Sequence, residues 1–190
     1  MAGPGSPIAR RRFVGALPAL ALLPVLDRRT PPYRREGQQT GGPRLPDPFS
    51  EEERTKIAAS AMAGDIEHYA GQGWNCAECV CITGLRYLER PEEEARPAMG
   101  FGGGLGHGEL CGLLTGALMA LGAAAGAKGG DRSVQRRRLR IASEDFWNWW
   151  TARAPLTCRE LRPQYGNQDE FLRMAQRVAT HLEGLIDAMV

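Results

Sequence analysis

Histidine is scarce in this sequence. Its three copies, His68, His107 and His181, are scattered over 190 residues and no His-Glu-x-x-His run occurs, so a zinc enzyme lacks the ligand spacing it needs. The signatures of serine hydrolases, P-loops and glycosidases are missing as well, and the acidic residues at predicted helix starts are accounted for by the positive helix end. No segment alternates apolar and polar residues as a half-buried strand does. A basic stripe on the folded part is also lacking. The net charge is +2, but residues 1–47 hold eight arginines against Asp27, Glu36 and Asp47, which leaves the remainder at −3. Phosphate binding needs a positive footprint, so a nucleic-acid role is excluded on this reading.

What is present begins with an address. Arg10-Arg11-Arg12-Phe13 precedes the apolar stretch Val14 to Leu26, the order of a charged and then a hydrophobic region in a secretory signal, and Arg-Arg-x-Phe is twin-arginine-like. The apolar stretch covers about 13 positions and contains Pro18 and Pro24, short of the roughly 20 residues of a membrane helix. Residues 1–26 are therefore expected to be an export signal, placing the protein in the periplasm or another extracytoplasmic space. Contact with a membrane is expected only through that signal if it stays uncleaved. Residues 27–48 are rich in Pro, Gly, Arg and Gln, a composition that cannot bury a core, and read as a disordered linker. The folded domain is expected over residues 49–190.

Helical signals dominate that domain. Ser50-Glu51-Glu52-Glu53 is a capping box leading into Ile57, Ala61 and Ile66, predicting one helix that ends near Gly71-Gln72-Gly73. Asn75 caps a second helix, with Cys76, Val80, Leu85 and Leu88 on its buried face, and a short helix over Glu92 to Ala98 follows. Gly100 to Gly108 is too glycine-dense for regular structure and predicts a tight loop with positive backbone dihedrals. That loop contains no Gly-x-Gly-x-x-Gly and no Gly-Lys-Ser/Thr follows it, so it does not read as a nucleotide cradle.

Glu109 to Ala127 then predicts a central helix. Its stripe of Gly112, Gly116, Ala120 and Ala123 or Ala124 lets another helix backbone approach closely. A basic amphipathic helix starting at Asp131 or Ser133 carries Phe146, Trp147, Trp149 and Trp150, which wedge it into the bundle or into a second copy in a homodimer. A turn at Pro155, a short helix at Cys158 and a last helix from about Asn167 to Ala188 complete the expectation. The fold class is all-α, a compact bundle of about five to six helices with a glycine-rich loop before the central one.

The chemistry is expected at the cysteines. Cys76, Cys111 and Cys158 each fall at or near a predicted helix start, where the helix dipole and free amides favour a thiolate and lower its pKa. Cys79 shares a face with Cys76, whereas Cys81 lies about 140° around the helix and points elsewhere. Such a set suits thiol redox chemistry or metal ligation. Cysteine is also among the most buried residue types, and an exported domain can use it for structural disulfides, so both readings stand on composition alone.

These residues carry a resemblance. Asn75-Cys76-Ala77, the loop Gly100 to Gly106, Cys111-Gly112-Leu113-Leu114-Thr115-Gly116-Ala117-Leu118, and Cys158-Arg159-Glu160-Leu161 resemble the redox-active family named for its spaced cysteines, C_GCAxxG_C_C. The resemblance implies a redox role and marks Cys76, Cys111 and Cys158 as the family cysteines, with Gly112 and Gly116 in a Cys-Gly-Ala-x-x-Gly motif. Leu113 replaces the alanine of that motif. The fourth family cysteine, expected after the Cys-Arg-Glu-Leu segment, is missing, and Cys79 is the best substitute, Cys81 the second, unless another subunit contributes.

Two functions follow. One is an oxidoreductase or electron-transfer protein serving an unidentified redox partner protein. In it Cys76, Cys79, Cys111 and Cys158 hold an iron-sulfur cluster or another metal, or two of Cys76, Cys111 and Cys158 form a dithiol/disulfide couple. The other is a non-catalytic helical binding or accessory protein braced by disulfides. Convergence of three or more sulfurs favours the first, and isolated close pairs favour the second.

Overall fold

A computed structural model describes residues 50–165 and 168–189. The expected signal at 1–26 and linker at 27–48 lie outside the described residues. Seven α-helices are present among those described: α1 Glu51–Ala59, α2 Ala61–Ala70, α3 Cys76–Tyr87, α4 Gly112–Ala127, α5 Arg132–Thr151, α6 Cys158–Leu161 and α7 Gln168–Asp187. They are joined by two 3-10 segments, Glu92–Phe101 and Arg162–Gln164, and by a five-residue π-turn at Gly104–Gly108. No strand occurs among the described residues, and the fold is all-α. None of the described helices is long and apolar enough to cross a membrane.

The helix count exceeds the expected five to six because one predicted helix is two. Ser60 takes an extended conformation (φ −82°, ψ 122°), ending α1 and capping α2, so the backbone turns between Ile57 and Met62. Ser60 Oγ accepts from the Ala63 amide at 3.1 Å and donates to Glu183 Oε2 at 2.6 Å, tying the break to α7. Three other predicted starts hold. Ser50 and Glu53 form a reciprocal capping box, as do Asn75 and Glu78, and Asp131 Oδ1 accepts from the amides of Ser133 and Val134. The expected short helix after Pro91 is a 3-10 segment, and it runs on to Phe101 through Pro97.

The core is built on α4, whose apolar residues surround the axis and bury most of it. The small-residue stripe acts as expected. A Cβ on Gly116 would lie 2.4 Å from the Ala77 carbonyl oxygen, and one on Gly84 would lie 2.5 Å from the Ala120 Cβ, so α3 and α4 cross with their backbones almost in contact. Helix α7 packs its stripe of Met174, Val178, Leu182 and Ile186, at four-residue spacing, into the same core. In α5, Phe146 and Trp150 are fully buried and Trp150 Nε1 donates to the Pro155 carbonyl at 3.1 Å, whereas Trp147 is 41% exposed. Phe146 and Trp150 thus wedge the helix into the bundle, and Trp149 packs against the core beside them.

Candidate functional site

Three chain segments bring Cys76, Cys111 and Cys158 to one end of the bundle. Cys76 is the first residue of α3, held there by the Asn75 side chain, which accepts from the amides of Ala77 and Glu78 and donates to the Met99 carbonyl at 3.0 Å. The Cys76 sulfur rests against Gly112 at the start of α4. Cys111 is the residue before that helix and not inside it, which corrects the predicted start at Glu109. Residues 109–111 are extended instead, because they pair with 156–158: the Cys111 amide donates to the Leu156 carbonyl at 2.9 Å and the Cys158 amide to the Glu109 carbonyl at 2.7 Å, flanking an isolated antiparallel bridge of Leu110 and Thr157. Alternation across such a pairing puts Cys111 and Cys158 on one face and Leu110 and Thr157 on the other. Leu110 is accordingly exposed and Cys111 is 4% exposed.

The glycine loop lies beneath this pairing. Gly103, Gly104, Gly106 and Gly108 all have positive φ, as expected, and so does Leu105 (φ 59°), which no sequence signal marks. Gly104 has a second reason to be glycine: a Cβ there would come within 2.7 Å of the Cys158 Cβ and 2.5 Å of the Glu109 carbonyl. Arg159 fastens the loop from above, with its guanidinium 3.0 Å from the His107 carbonyl and 3.3 Å from Glu109 Oε1. His107 itself is exposed.

Electrostatically Cys76 couples to Cys111, Cys158 and Cys79, and Cys158 also couples to Cys111. Burial is nonetheless the largest influence. Burial first and Cys76 second push the Cys111 thiol up to about 12, and the amides of Leu113 and Leu114 offset only part of the rise. Cys158 is also raised, by burial first and Cys76 second, with Arg162 opposing. The expectation that the helix starts lower these thiols is therefore overturned at Cys111 and Cys158, because removing a thiolate from water outweighs the helix end. Cys76 and Cys158 are half-buried, so the group has an accessible edge.

The remaining cysteines differ. Cys79 is buried, its thiol donates to the Trp74 carbonyl at 3.6 Å, and burial, then Cys76 and Glu78, push it up to about 12. Cys81 is raised to about 11, by burial first and then by Glu94. An iron-sulfur cluster wants four converging thiolates. Cys76, Cys79, Cys111 and Cys158 are the right chemistry, but among the described residues no three His, Cys, Asp or Glu side chains stand in a metal-holding arrangement, so these donors as placed do not fit a cluster.

Sequence reasoning missed Tyr165. It follows the 3-10 turn after α6, packs edge-on against Phe171 at 5.7 Å, and has Cys111, Cys158 and Cys76 as its charged neighbours. Burial and then those three cysteines raise its phenol well above the ordinary value, with Arg177 opposing. The only available signal was its position, seven residues past Cys158.

The fold is all-α, and Cys76 and Cys158 each lie against a glycine of the segment that leads into α4, Gly112 and Gly104. The chain belongs to the family described as "Putative redox-active protein (C_GCAxxG_C_C)", whose model matches residues 74–183. The match spans more than half of the chain and includes all five cysteines. No curated protein and no solved structure matches the chain.

Proposed function

We propose that the protein is an exported thiol oxidoreductase in which Cys76 and Cys111 form the working dithiol/disulfide couple and Cys158 is the third thiol available for exchange. The observation that carries this reading is the contact of the Cys76 sulfur with Gly112, the residue next to Cys111, with Cys158 brought alongside by the pairing of residues 109–111 with 156–158. In the oxidising direction, the Cys76 thiolate attacks a disulfide of a partner protein and releases one partner thiolate. Cys111 then attacks the mixed disulfide at Cys76, leaving the internal disulfide and the second partner thiol, so two electrons and two protons pass to the partner. The buried Cys111 acts second because its thiol ionises reluctantly. Export by the twin-arginine route, to the periplasm or another extracytoplasmic space, is supported by Arg10-Arg11-Arg12-Phe13.

The test is a free-thiol count on the full-length chain through cycles of oxidation and reduction, with iron and sulfide analysis on the same anaerobic sample. The reading expects two thiols to disappear and return reversibly, and expects Cys76→Ser and Cys111→Ser each to abolish that change. Stoichiometric iron and sulfide, lost in Cys111→Ser, would establish the cluster instead. Thiols or disulfides that never exchange would leave a non-catalytic accessory protein.

A further inference from the structure

The extended residues 109–111 have two edges, and one of them is unused. The Cys111 amide and the Glu109 carbonyl point toward residues 156–158 and are bonded there. In an antiparallel bridge of this kind the central pair exchanges no hydrogen bonds, so the amide and carbonyl of Leu110 point the other way, along the outer edge. Neither has a hydrogen-bond partner among the described residues. Leu110 is 41% exposed, so this edge borders solvent. Such an edge is a template for another extended backbone, and one residue laid opposite Leu110 would exchange both hydrogen bonds with it.

The surroundings are apolar. Of the seven large hydrophobic residues exposed among those described, Trp74, Met99, Leu105 and Leu110 come from the segments that build the cysteine site. Trp74 precedes Asn75, whose side chain donates to the Met99 carbonyl, and Leu105 follows Gly104, which lies against Cys158. Leu105 holds its exposed position at a positive φ, which leucine seldom adopts. Leu110 is two residues from Gly112, where the Cys76 sulfur rests, and two residues of chain span at most about 7 Å.

We propose that the outer edge of residues 109–111 is the docking strand for the disulfide substrate of this site: an extended, apolar segment of a partner protein whose cysteine lies next to the residue paired with Leu110. The inference rests on the dithiol/disulfide reading above and names its substrate class. The unpaired amide and carbonyl call for a backbone, and Trp74, Met99, Leu105 and Leu110 call for apolar side chains. In this mode of strand addition the main-chain bonds give affinity and alternate side chains give specificity. The side chain opposite Leu110 shares its outer face, and the two neighbouring side chains fall on the face of Cys111. A cysteine at either neighbour is thus carried to the side of Cys111, within two residues of the Gly112 contact with Cys76. The Cys76 thiolate bonds to that cysteine's sulfur, the substrate S–S bond breaks, and its electron pair leaves on the substrate's other sulfur.

The test is the rate at which a peptide disulfide oxidises the reduced full-length protein. The probe is the disulfide-linked dimer of acetyl-Ala-Val-Cys-Val-Ala-amide, and hydroxyethyl disulfide, which has no backbone, is the reference. Amides two apart point to the same edge of a strand. N-methylation of both valine amides therefore removes the donor that faces Leu110 and wedges a methyl between the strands, whereas N-methylation of the cysteine amide falls on the far edge. The first should lower the ratio of peptide rate to reference rate about tenfold, the size of two net backbone hydrogen bonds, and the second should leave it near that of the parent peptide. Leu110→Asp, which puts a charge on the apolar edge, should lower the ratio for the parent peptide several-fold. Equal slowing by both methylations, or slowing by neither, overturns the inference and leaves the disulfide reading intact, as does a folded Leu110→Asp with an unchanged ratio. A dimer in sedimentation that Leu110→Asp dissolves, while all peptides react alike, gives the edge to a second copy and overturns the inference too. If Leu110→Asp does not fold, the wild-type protein with the three peptides decides alone. Thiols that neither disulfide oxidises overturn the dithiol reading, and this inference falls with it.

Discussion

The Cys76 sulfur occupies the space where a side chain at residue 112 would begin: a Cβ built on Gly112 would lie 2.2 Å from it. The sulfur and the first turn of α4 are therefore in direct contact, and the packing of the central helix pair is part of the cysteine site.

Gly112→Ala should accordingly displace Cys76. We expect a net loss of about 1–2 kcal/mol in denaturant unfolding, as overpacking outweighs the roughly 1 kcal/mol of helix propensity gained, together with a changed alkylation rate at Cys76. Gly122→Ala on the same helix is the control. Nothing lies within 4 Å of its Cβ, so it should stabilise by up to about 1 kcal/mol and leave alkylation unchanged.

Buried thiols set an alkaline limit. Burial raises Cys79 and Cys111 to about 12 and Cys81 to about 11 from an ordinary value of 9. A raised folded value means that the neutral thiol is favoured by the fold, so this stability is complete below pH 9 and is lost as pH rises through the folded values. Unfolding free energy should fall between pH 9 and 12, and Cys81→Ala should flatten the fall between 9 and 11.

Acid acts through His181. Its ring stacks on Trp149 at 4.4 Å and 13°, and burial, then Arg153, lower its pKa to about 4 from 6.5. A depressed folded value gives stability that is present above pH 6.5 and is lost as pH falls through 4. His181→Phe should make the unfolding midpoint less sensitive to pH between 7 and 4 than in wild type.

Ser60 joins the break between α1 and α2 to α7. Ser60→Ala removes the α2 cap and leaves Glu183 Oε2 with only the Met62 amide at 2.9 Å. A loss of about 1–2 kcal/mol is expected in urea unfolding. Ser60→Thr, which keeps the hydroxyl, should recover much of it.

Much of the fold was legible because its signals are local. Ser50, Asn75 and Asp131 announce their helices through side chains that reach amides two or three residues away. The stripe on α4 is legible for a related reason, since Gly112 and Gly116 disfavour a helix and are worth having only where a neighbour presses close. The split at Ser60 was not legible: the apolar spacing of Ile57, Ala61 and Ile66 continues across it, and its partner Glu183 is far along the chain.

The site divides in the same way. The positions of Cys76, Cys111 and Cys158 at element starts, and the resemblance they carry, belong to the sequence by itself, because caps, turns and motif spacing are properties of neighbouring residues. Only the tertiary structure decided that residues 109–111 extend to pair with 156–158, that burial overrides the helix ends in setting the Cys111 and Cys158 thiols, and that the Tyr165 hydroxyl is buried without a partner among the described residues. Each depends on what lies beside a group in space, and neither desolvation nor an unmatched hydroxyl exists until distant segments close around it.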